Sequence, residues 1–316
     1  MRNRVGRFAV AAAAVVTIIS VSITVISAQG GQTKTPAPTA APAARGQATT
    51  PAAPGATAPA RGQATPAPAR GQASAAARGI PRMGDGKPNF SGLWQSLSGA
   101  NWDIQDHSSE PGPFYQLGAE FDIPAGQGVV DGNEIPYRSD ALEQRKKNRL
   151  NRWTADPELK CYMPGIPRAT YMPFPFQIVQ GNTKIAFAYE FATSNRVVNM
   201  GAPTKAPVPS WMGWANGRWE GDTLVIEVTG NNDQTWFDRA GNFHSDAMKV
   251  TERFTYRTPD VVDYEATIDD PKTFTRPWKI SLPLYRRMEK NASLLEFKCV
   301  EYTEELIYGH LRKPTN

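Results

Sequence analysis

Short segments in which apolar and polar residues alternate, separated by tight turns, dominate the chain from about residue 172 onward. The first two segments cover residues 174–178 and 185–189, with Gly181 and Asn182 between them. Alternation with a period of two is typical of a strand with one buried face, and a glycine-containing turn between two such strands indicates a β-hairpin. This pattern constrains the fold more than any other feature, because successive hairpins build antiparallel sheets.

The same pattern continues toward the C-terminus. A second hairpin is predicted around Gly221 and Asp222, although Asn216 and Gly217 form a competing turn signal. The helical segments that would have to connect the strands of a parallel α/β sheet are missing from the sequence. We therefore predict an all-β fold, an antiparallel meander that closes into a barrel or a strongly curled sheet. Further strands are predicted at residues 248–256, 262–268, 278–284 and 294–300.

The first part of the globular region, residues 80–167, is rich in glycine, proline, asparagine and aspartate and shows little periodicity. We expect an irregular N-terminal extension there, with one or two short helices. The clearest predicted helix covers residues 140–153, with Ser139 as its N-cap. Its strongly basic face is more typical of a solvated surface than of a binding site.

The N-terminus resembles a secretory signal. Three arginines within the first seven residues precede an uncharged apolar run, residues 8–28, which closes on Ser27 and Ala28 before Gln29. We predict a signal peptide at residues 1–28 and export to the periplasm or beyond. The run is also long enough to span a bilayer, so an uncleaved N-terminal anchor is the alternative and the only predicted membrane contact.

Residues 29–79 contain mainly alanine, proline, glycine and arginine, with no acidic and no aromatic residue. Such a segment cannot bury enough apolar surface to offset the entropy of ordering, so a disordered linker is predicted. A single β-rich domain, residues 80–316, follows. The net charge of +5 comes from the N-terminal part, because residues 1–79 hold eight basic and no acidic residues. The domain has 27 basic against 30 acidic residues, which argues against nucleic acid as a partner.

The chain has two cysteines, Cys161 and Cys299. An even number of cysteines in an exported protein predicts one disulfide, with two separate buried thiols as the alternative. Two distant cysteines and three scattered histidines are too few ligands for a metal site. Neither a metal nor a cofactor is therefore predicted.

The sequence holds no nucleophile elbow, phosphate-binding loop, dinucleotide fingerprint or zinc-protease motif. The most informative single residue is Glu252, which alternation places on the apolar face of a strand between Val250 and Phe254. A carboxyl group in a cavity is a candidate general acid or base, but a buried ion pair is the structural alternative. We predict Arg276 or His244 as the partner of Glu252.

Other polar residues cluster at the ends of predicted strands. His244 is followed by Ser245 and the carboxylate Asp246, so it is a candidate proton shuttle. The alternative is that Ser245 and Asp246 form hydrogen bonds that stabilise a turn. Asp269 directly follows a strand and could act in an acid/base pair, with turn capping as the alternative. The catalytic candidates are His244, Glu252 and Asp269; the ligand-binding candidates are Arg276, Trp219, Trp278 and Asp246; and Trp211, Trp214, Trp219 and Trp236 form an aromatic group that could line a pocket or belong to the core.

Several motifs resemble those of a family of uncharacterised exported proteins from environmental bacteria. They are GKPNFSGLW at 86–94, GRWEGDTLVI at 217–226, HSDAM at 244–248 and TIDDPKTFTRPW at 267–278. The resemblance covers the whole domain and implies no particular activity. Gly92, Leu93 and Trp94 also resemble the Gly-x-Trp at the start of the first strand in lipocalin-like barrels. That second resemblance implies a barrel with a cavity for a small apolar ligand.

Three functions are compatible with this sequence. The first is binding of a small, largely apolar ligand in a β-barrel cavity. The second is a hydrolase or lyase that uses His244 with Glu252 or Asp269 in the same cavity. The third is a structural domain of the cell envelope that binds no ligand. A cavity would favour the first two functions over the third. Hydrogen-bonding contact among His244, Glu252, Asp269 and Arg276 would favour the enzyme over the binding protein. The sequence defines neither the oligomeric state nor whether the protein is an enzyme.

Overall fold

The computed structural model describes residues 79–312. The predicted signal peptide, residues 1–28, and the predicted linker up to residue 78 lie outside this range. Nine strands form a single closed barrel in the described part of the chain. The strands are β1 (Gly92–Gln95), β2 (Phe176–Gln180), β3 (Lys184–Tyr189), β4 (Asn195–Asn199), β5 (Trp214–Glu220), β6 (Thr223–Thr229), β7 (Lys249–Thr258), β8 (Val261–Asp269) and β9 (Trp278–Arg286).

The strands follow one another around the barrel in chain order, and the predicted all-β barrel is confirmed. Pairing of Trp94 with Arg286 and of Gln95 with Tyr285 joins β1 to β9 and closes it. All neighbouring strands are antiparallel except β4 and β5, which run parallel. Both predicted hairpins form, β2 with β3 and β5 with β6.

Alternation in the sequence becomes the two faces of the barrel wall. In β7, Val250, Glu252, Phe254 and Tyr256 are buried, whereas the residues between them are partly exposed. The inward side chains of all strands pack into one apolar core with Phe90 and Trp94. Aromatic rings contribute much of this core; for example, Phe90 stacks on Tyr256 with ring centroids 4.6 Å apart.

Residues 96–175 connect β1 to β2 and cover the β9 side of the barrel, through bridges from Val130 to Ile280 and from Tyr137 to Phe274. The helix predicted at 140–153 ends at residue 150, and Ser139 is not its N-cap, because the cap position is held by Arg138 without a side-chain hydrogen bond. Within residues 79–312, no helix is long and apolar enough to cross a membrane. The helices are α1 (Ser139–Leu150), α2 (Arg152–Ala155), α3 (Arg168–Tyr171) and α4 (Thr303–Tyr308), and short 3-10 turns lie at Tyr115–Phe121, Asp131–Asn133, Pro157–Lys160, Phe191–Thr193 and Gly309–Leu311.

The strand predicted at residues 294–300 is wrong, because this segment runs over the outside of the barrel without strand pairing. The Phe297 ring packs against the Phe191 ring, with centroids 4.8 Å apart. The Leu295 N–H donates to the Glu190 carboxylate at 2.8 Å. The predicted disulfide is confirmed: Cys161 and Cys299 are bonded, with their Cα atoms 5.8 Å apart. It ties the C-terminal segment to the connection between β1 and β2.

Candidate functional site

The barrel wall is thinly paired between β4 and β5. These strands are paired at two positions, Val198 with Ala215 and Asn199 with Asn216. Because parallel neighbours need a connection that returns to the same end of the sheet, residues 200–213 must cross the outside of the wall before β5 begins. We call the thinly paired boundary between β4 and β5, which this connection covers, the seam.

A cavity of about 720 Å³ lies at this seam, and we call it the seam cavity. Its walls are mainly apolar, and they combine buried and exposed groups. Met212 is buried, whereas Val197 and Val208 are 53 % and 67 % exposed. The lining residues include no aspartate or glutamate. The apolar residues that line the seam cavity are Met163, Val197, Pro207, Val208, Trp211, Met212, Trp214 and Ala215.

Hydrogen bonds fix the connection that forms the outer wall of the seam cavity. The Thr204 N–H donates to Asn216 Oδ1 at 3.0 Å, and Asn216 Nδ2 donates to the Thr204 carbonyl at 2.9 Å. Trp214 Nε1 donates to Thr204 Oγ1 at 3.0 Å. Farther along, the Ser210 N–H donates to the Gly230 carbonyl at 2.9 Å. The cavity therefore has a preformed shape, as small-molecule sites usually do.

Glu252 faces the barrel interior and is fully buried, as its position between two apolar residues of β7 predicts. The predicted partners, Arg276 and His244, are wrong. Arg276 lies in the turn between β8 and β9, where its side chain is 58 % exposed and 3.6 Å from Glu134. Local alternation gives the face of a residue but not which strands meet across a barrel, so the partner could not be read from the neighbouring sequence.

The partners of Glu252 are Arg196 of β4 and Tyr264 of β8. Arg196 donates through both terminal nitrogens, with Nη2 3.0 Å from Glu252 Oε1 and Nη1 bonded to Oε2. The Tyr264 hydroxyl donates to Oε1 at 2.8 Å. Burial and the neighbouring carboxylate raise the pKa of Tyr264 well above its ordinary range, so this hydroxyl keeps its proton. The arrangement is a buried ion pair with an added hydrogen-bond donor.

Arg196 connects this interior ion pair to the seam cavity, because it also belongs to the cavity lining. Its guanidinium lies over the Phe187 ring, 4.4 Å from the ring centroid. Burial, the largest single effect, lowers the pKa of Arg196, but the Glu252 carboxylate together with Tyr189 and Tyr264 outweighs it and raises the pKa. Within the described residues, the buried Arg196 Nε has no hydrogen-bond partner.

His244 is buried and lies outside the seam cavity lining. Its Nδ1 is 2.8 Å from the Ser245 carbonyl, and its Nε2 is 2.6 Å from Thr235 Oγ1. A carbonyl can only accept, so Nδ1 carries the proton and Nε2 accepts from the Thr235 hydroxyl. Burial lowers the pKa of His244, against weaker opposing effects of the Ser245 carbonyl and Asp270. The neutral ring holds two chain segments together.

We expect this neutral histidine to make the fold sensitive to acid. A depressed folded-state pKa means that the unfolded chain binds the proton more readily below pH of about 6.5, so stability falls as pH falls from there. Relative to His244→Gln, the wild-type protein should lose up to about 1.4 kcal/mol per pH unit over the window between the two pKa values. Chemical unfolding of both proteins from neutral to acidic pH measures this. Parallel profiles for the two proteins would contradict it.

The two predicted aspartates lie at the protein surface. Asp269 is exposed at the end of β8, where it pairs across the sheet with Lys249. The Asp246 side chain is 58 % exposed and accepts from Lys272 Nζ at 2.7 Å. The buried carboxylate of this region is Asp270, which accepts from the Ser245 N–H and hydroxyl, each at 2.7 Å. Turn stabilisation, the alternative considered from the sequence, accounts for these contacts.

Neither predicted ligand-binding tryptophan lines the seam cavity. Trp219 packs against the core, with its ring stacked 6.2 Å from that of Phe90. Trp278 is buried edge-to-face against Phe237, with ring centroids 5.3 Å apart. Of the predicted aromatic group, Trp211 and Trp214 do line the cavity.

The catalytic candidates do not converge. Within residues 79–312, no hydrogen bond or ion pair joins any two of His244, Glu252, Asp269 and Arg276. No group of three histidine, cysteine or acidic residues in the same range could hold a metal ion. Two lining residues, Arg196 and Val208, were not predicted from the sequence, although alternation with the buried Val198 places Arg196 on the inner face.

The described part of the chain is a closed nine-stranded β-barrel, and its wall holds a cavity large enough for a small molecule. No protein-family model, curated protein or solved structure matches this chain. The resemblance to exported bacterial proteins and to lipocalin-like barrels therefore stays a prediction. Up-and-down lipocalin barrels have eight strands, whereas this barrel has nine and includes one parallel pair.

Proposed function

We propose that this protein binds a small, largely apolar ligand in the seam cavity. The observation that carries the proposal is the cavity itself, about 720 Å³ with walls of tryptophan, methionine and valine. This volume lies within the range of known small-molecule sites, which extends from about 300 to 1,000 Å³. The proposal places the ligand in the barrel wall instead of the barrel interior, because the inward side chains pack against one another there.

The two other functions receive less support. An enzyme that used His244 with Glu252 or Asp269 would need these groups around one cavity, and none of the three lines the seam cavity. A purely structural domain does not account for a cavity of about 720 Å³ with mainly apolar walls. We place the binding function outside the cytoplasm, and the Cys161–Cys299 disulfide supports this location.

A charge introduced into the cavity wall should block the ligand. Val208 is 67 % exposed, so Val208→Asp should fold normally while placing a carboxylate where an apolar ligand would lie. We expect the dissociation constant of a neutral fluorescent probe, N-phenyl-1-naphthylamine, to rise about tenfold or more, which corresponds to roughly 1.4 kcal/mol. Fluorescence titration of the full chain measures this change.

Val179→Asp is the matched control. Val179 lies on the outer face of β2, is 56 % exposed, and does not line the seam cavity. It receives the same charge on a barrel strand, so it should bind the probe like the wild type. Absence of saturable probe binding to the wild type, or equal losses in the two variants, would refute the proposed site. Circular dichroism establishes that both variants are folded.

A further inference from the structure

The lysine of the seam cavity lies at one of its ends. At one end, Lys184 of β3 is the register partner of Asn199 of β4, and both residues line the cavity. Asn199 Nδ2 lies 3.4 Å from Asn216 Oδ1, which in turn accepts from Thr204, so these polar groups adjoin one another. The polar end is therefore defined by Lys184, Asn199 and Thr204.

Toward the opposite end, the lining consists of Met163, Trp211 and Met212 together with the polar residues Asn195 and Ser210. The Trp211 ring packs against Tyr162, with ring centroids 4.9 Å apart, which places this end next to the segment that follows Cys161. β4 runs from one end to the other, and five residues of extended chain span about 13 Å. A molecule that fills the cavity lengthwise can therefore place one end beside Lys184 and its body against the apolar side chains.

The charge of the cavity is concentrated on Lys184. Arg196 is the other cation in the lining, but the Glu252 carboxylate already matches its charge. Within residues 79–312, Lys184 forms no ion pair, and no acidic residue lines the cavity. The amide of Asn199 donates to the Ala202 carbonyl at 2.9 Å, so the ammonium of Lys184 is the donor free to meet a ligand at this end.

We propose that the ligand of the seam cavity is an amphiphilic carboxylate, with its head group on Lys184 and its apolar body against Val208, Trp214 and Met212. This inference rests on the proposed function and adds a substrate class to it. A single ammonium matches a single negative charge, whereas phosphate groups are usually bound by several cations or by the forked guanidinium of arginine. A carboxylate with a chain of about ten carbons fits both the polarity and the length of the cavity.

The test compares decanoate with methyl decanoate, which has the same chain but no charge. Each competes with the neutral probe for the full-length protein at low ionic strength, where screening is weak. We expect decanoate to bind about 1.5- to 5-fold more tightly than its ester, the range typical of a solvent-exposed ion pair. Lys184→Gln should abolish this preference for the acid, while Lys184→Arg should keep it.

Lys147→Gln is the matched control, because it removes the same charge from an exposed position on α1, away from the cavity. It should retain the preference for decanoate. Equal affinity of the acid and the ester for the wild type, or equal effects of the two glutamine variants, would overturn this inference while the proposed function stands. Failure of the wild type to take up the neutral probe would instead refute the proposed function.

Discussion

Replacing Glu252 with glutamine is expected to lower the free energy of unfolding by about 3 to 5 kcal/mol. The Glu252 carboxylate is fully buried and is the counter-ion of the Arg196 guanidinium, which is also buried. Glutamine keeps the size of the side chain and can still accept from Tyr264, but it removes the negative charge. The arginine would then remain in the barrel interior as an uncompensated cation, and burying an unpaired charge is strongly unfavourable.

A double variant shows whether Glu252→Gln loses stability because Arg196 is left unpaired or because the packing around position 252 changes. Arg196→Met together with Glu252→Gln removes both charges, and replacing a whole buried pair often costs little. The double variant should therefore recover most of the stability lost in Glu252→Gln. Glu265→Gln on the outer face of β8, where Glu265 pairs with Lys279 at 3.1 Å, should change stability by less than about 0.5 kcal/mol.

Probe binding distinguishes a structural from a functional role of Glu252. Glu252 is not among the residues that line the seam cavity, so folded Glu252→Gln should bind the neutral probe with nearly the wild-type dissociation constant. Denaturant unfolding and fluorescence titration of the same samples measure both quantities. A variant that kept its stability but lost probe binding would contradict this expectation. It would show that the Glu252 carboxylate serves the binding site and is not needed for the fold.

The position of Glu252 illustrates what the sequence could and could not predict. Alternation along β7 placed the carboxylate on the inner face correctly, because side-chain direction depends on neighbours within one strand. The identity of its partner depends on which strand lies opposite, and Arg196 is 56 residues away in the chain. Nothing local marks that pairing. The predicted partners, Arg276 and His244, were near in sequence and belong to other parts of the molecule.

The seam cavity depends on a feature that local patterns do not encode. Its outer wall is the connection of residues 200–213, which has no strand or helix periodicity and is held by contacts such as those of Thr204 with Asn216 and Trp214. The parallel pairing of β4 with β5 follows from the path of this connection. Tryptophans in the region could be noticed from the sequence, but which of them line a cavity could not.

The failed strand at residues 294–300 has a simple physical reason. The segment alternates as a strand would, and Leu295 and Val300 are 71 % and 62 % exposed. A further strand needs an unpaired sheet edge, and pairing of β1 with β9 leaves none in the barrel. Alternation therefore predicted a conformation that the closed barrel could not accept.

Removing the disulfide is expected to lower the free energy of unfolding by about 2 to 5 kcal/mol. Cys161 and Cys299 are separated by 138 residues, and closing so long a loop restricts the unfolded chain strongly. The double variant Cys161→Ser and Cys299→Ser leaves no free thiol that could form other bonds. Denaturant unfolding of this variant and of the wild type, both unreduced, measures the loss.

The C-terminal segment should respond to this change before the barrel does. It lies outside the closed barrel, and its remaining contacts include the Arg239–Glu304 ion pair at 2.9 Å and the packing of Phe297. Without the covalent link, residues 287–312 should detach locally, because an opening confined to this segment leaves the barrel core packed. Limited proteolysis should then cut this segment of the double variant first, whereas the wild type should resist. Equal resistance of both proteins would contradict a tethering role.

Mass spectrometry of the protein purified from its own host tests whether the Cys161–Cys299 disulfide forms in an exported protein. Without reduction, alkylating reagents should leave both cysteines unmodified, because the disulfide forms only where the compartment is oxidising. The same spectrum reads the N-terminus, and a chain that begins at Gln29 would establish cleavage of the predicted signal. Two alkylated cysteines on a chain that still begins at Met1 would place the protein in a reducing compartment. The barrel would then have to rely on its closed strand pairing without the covalent link.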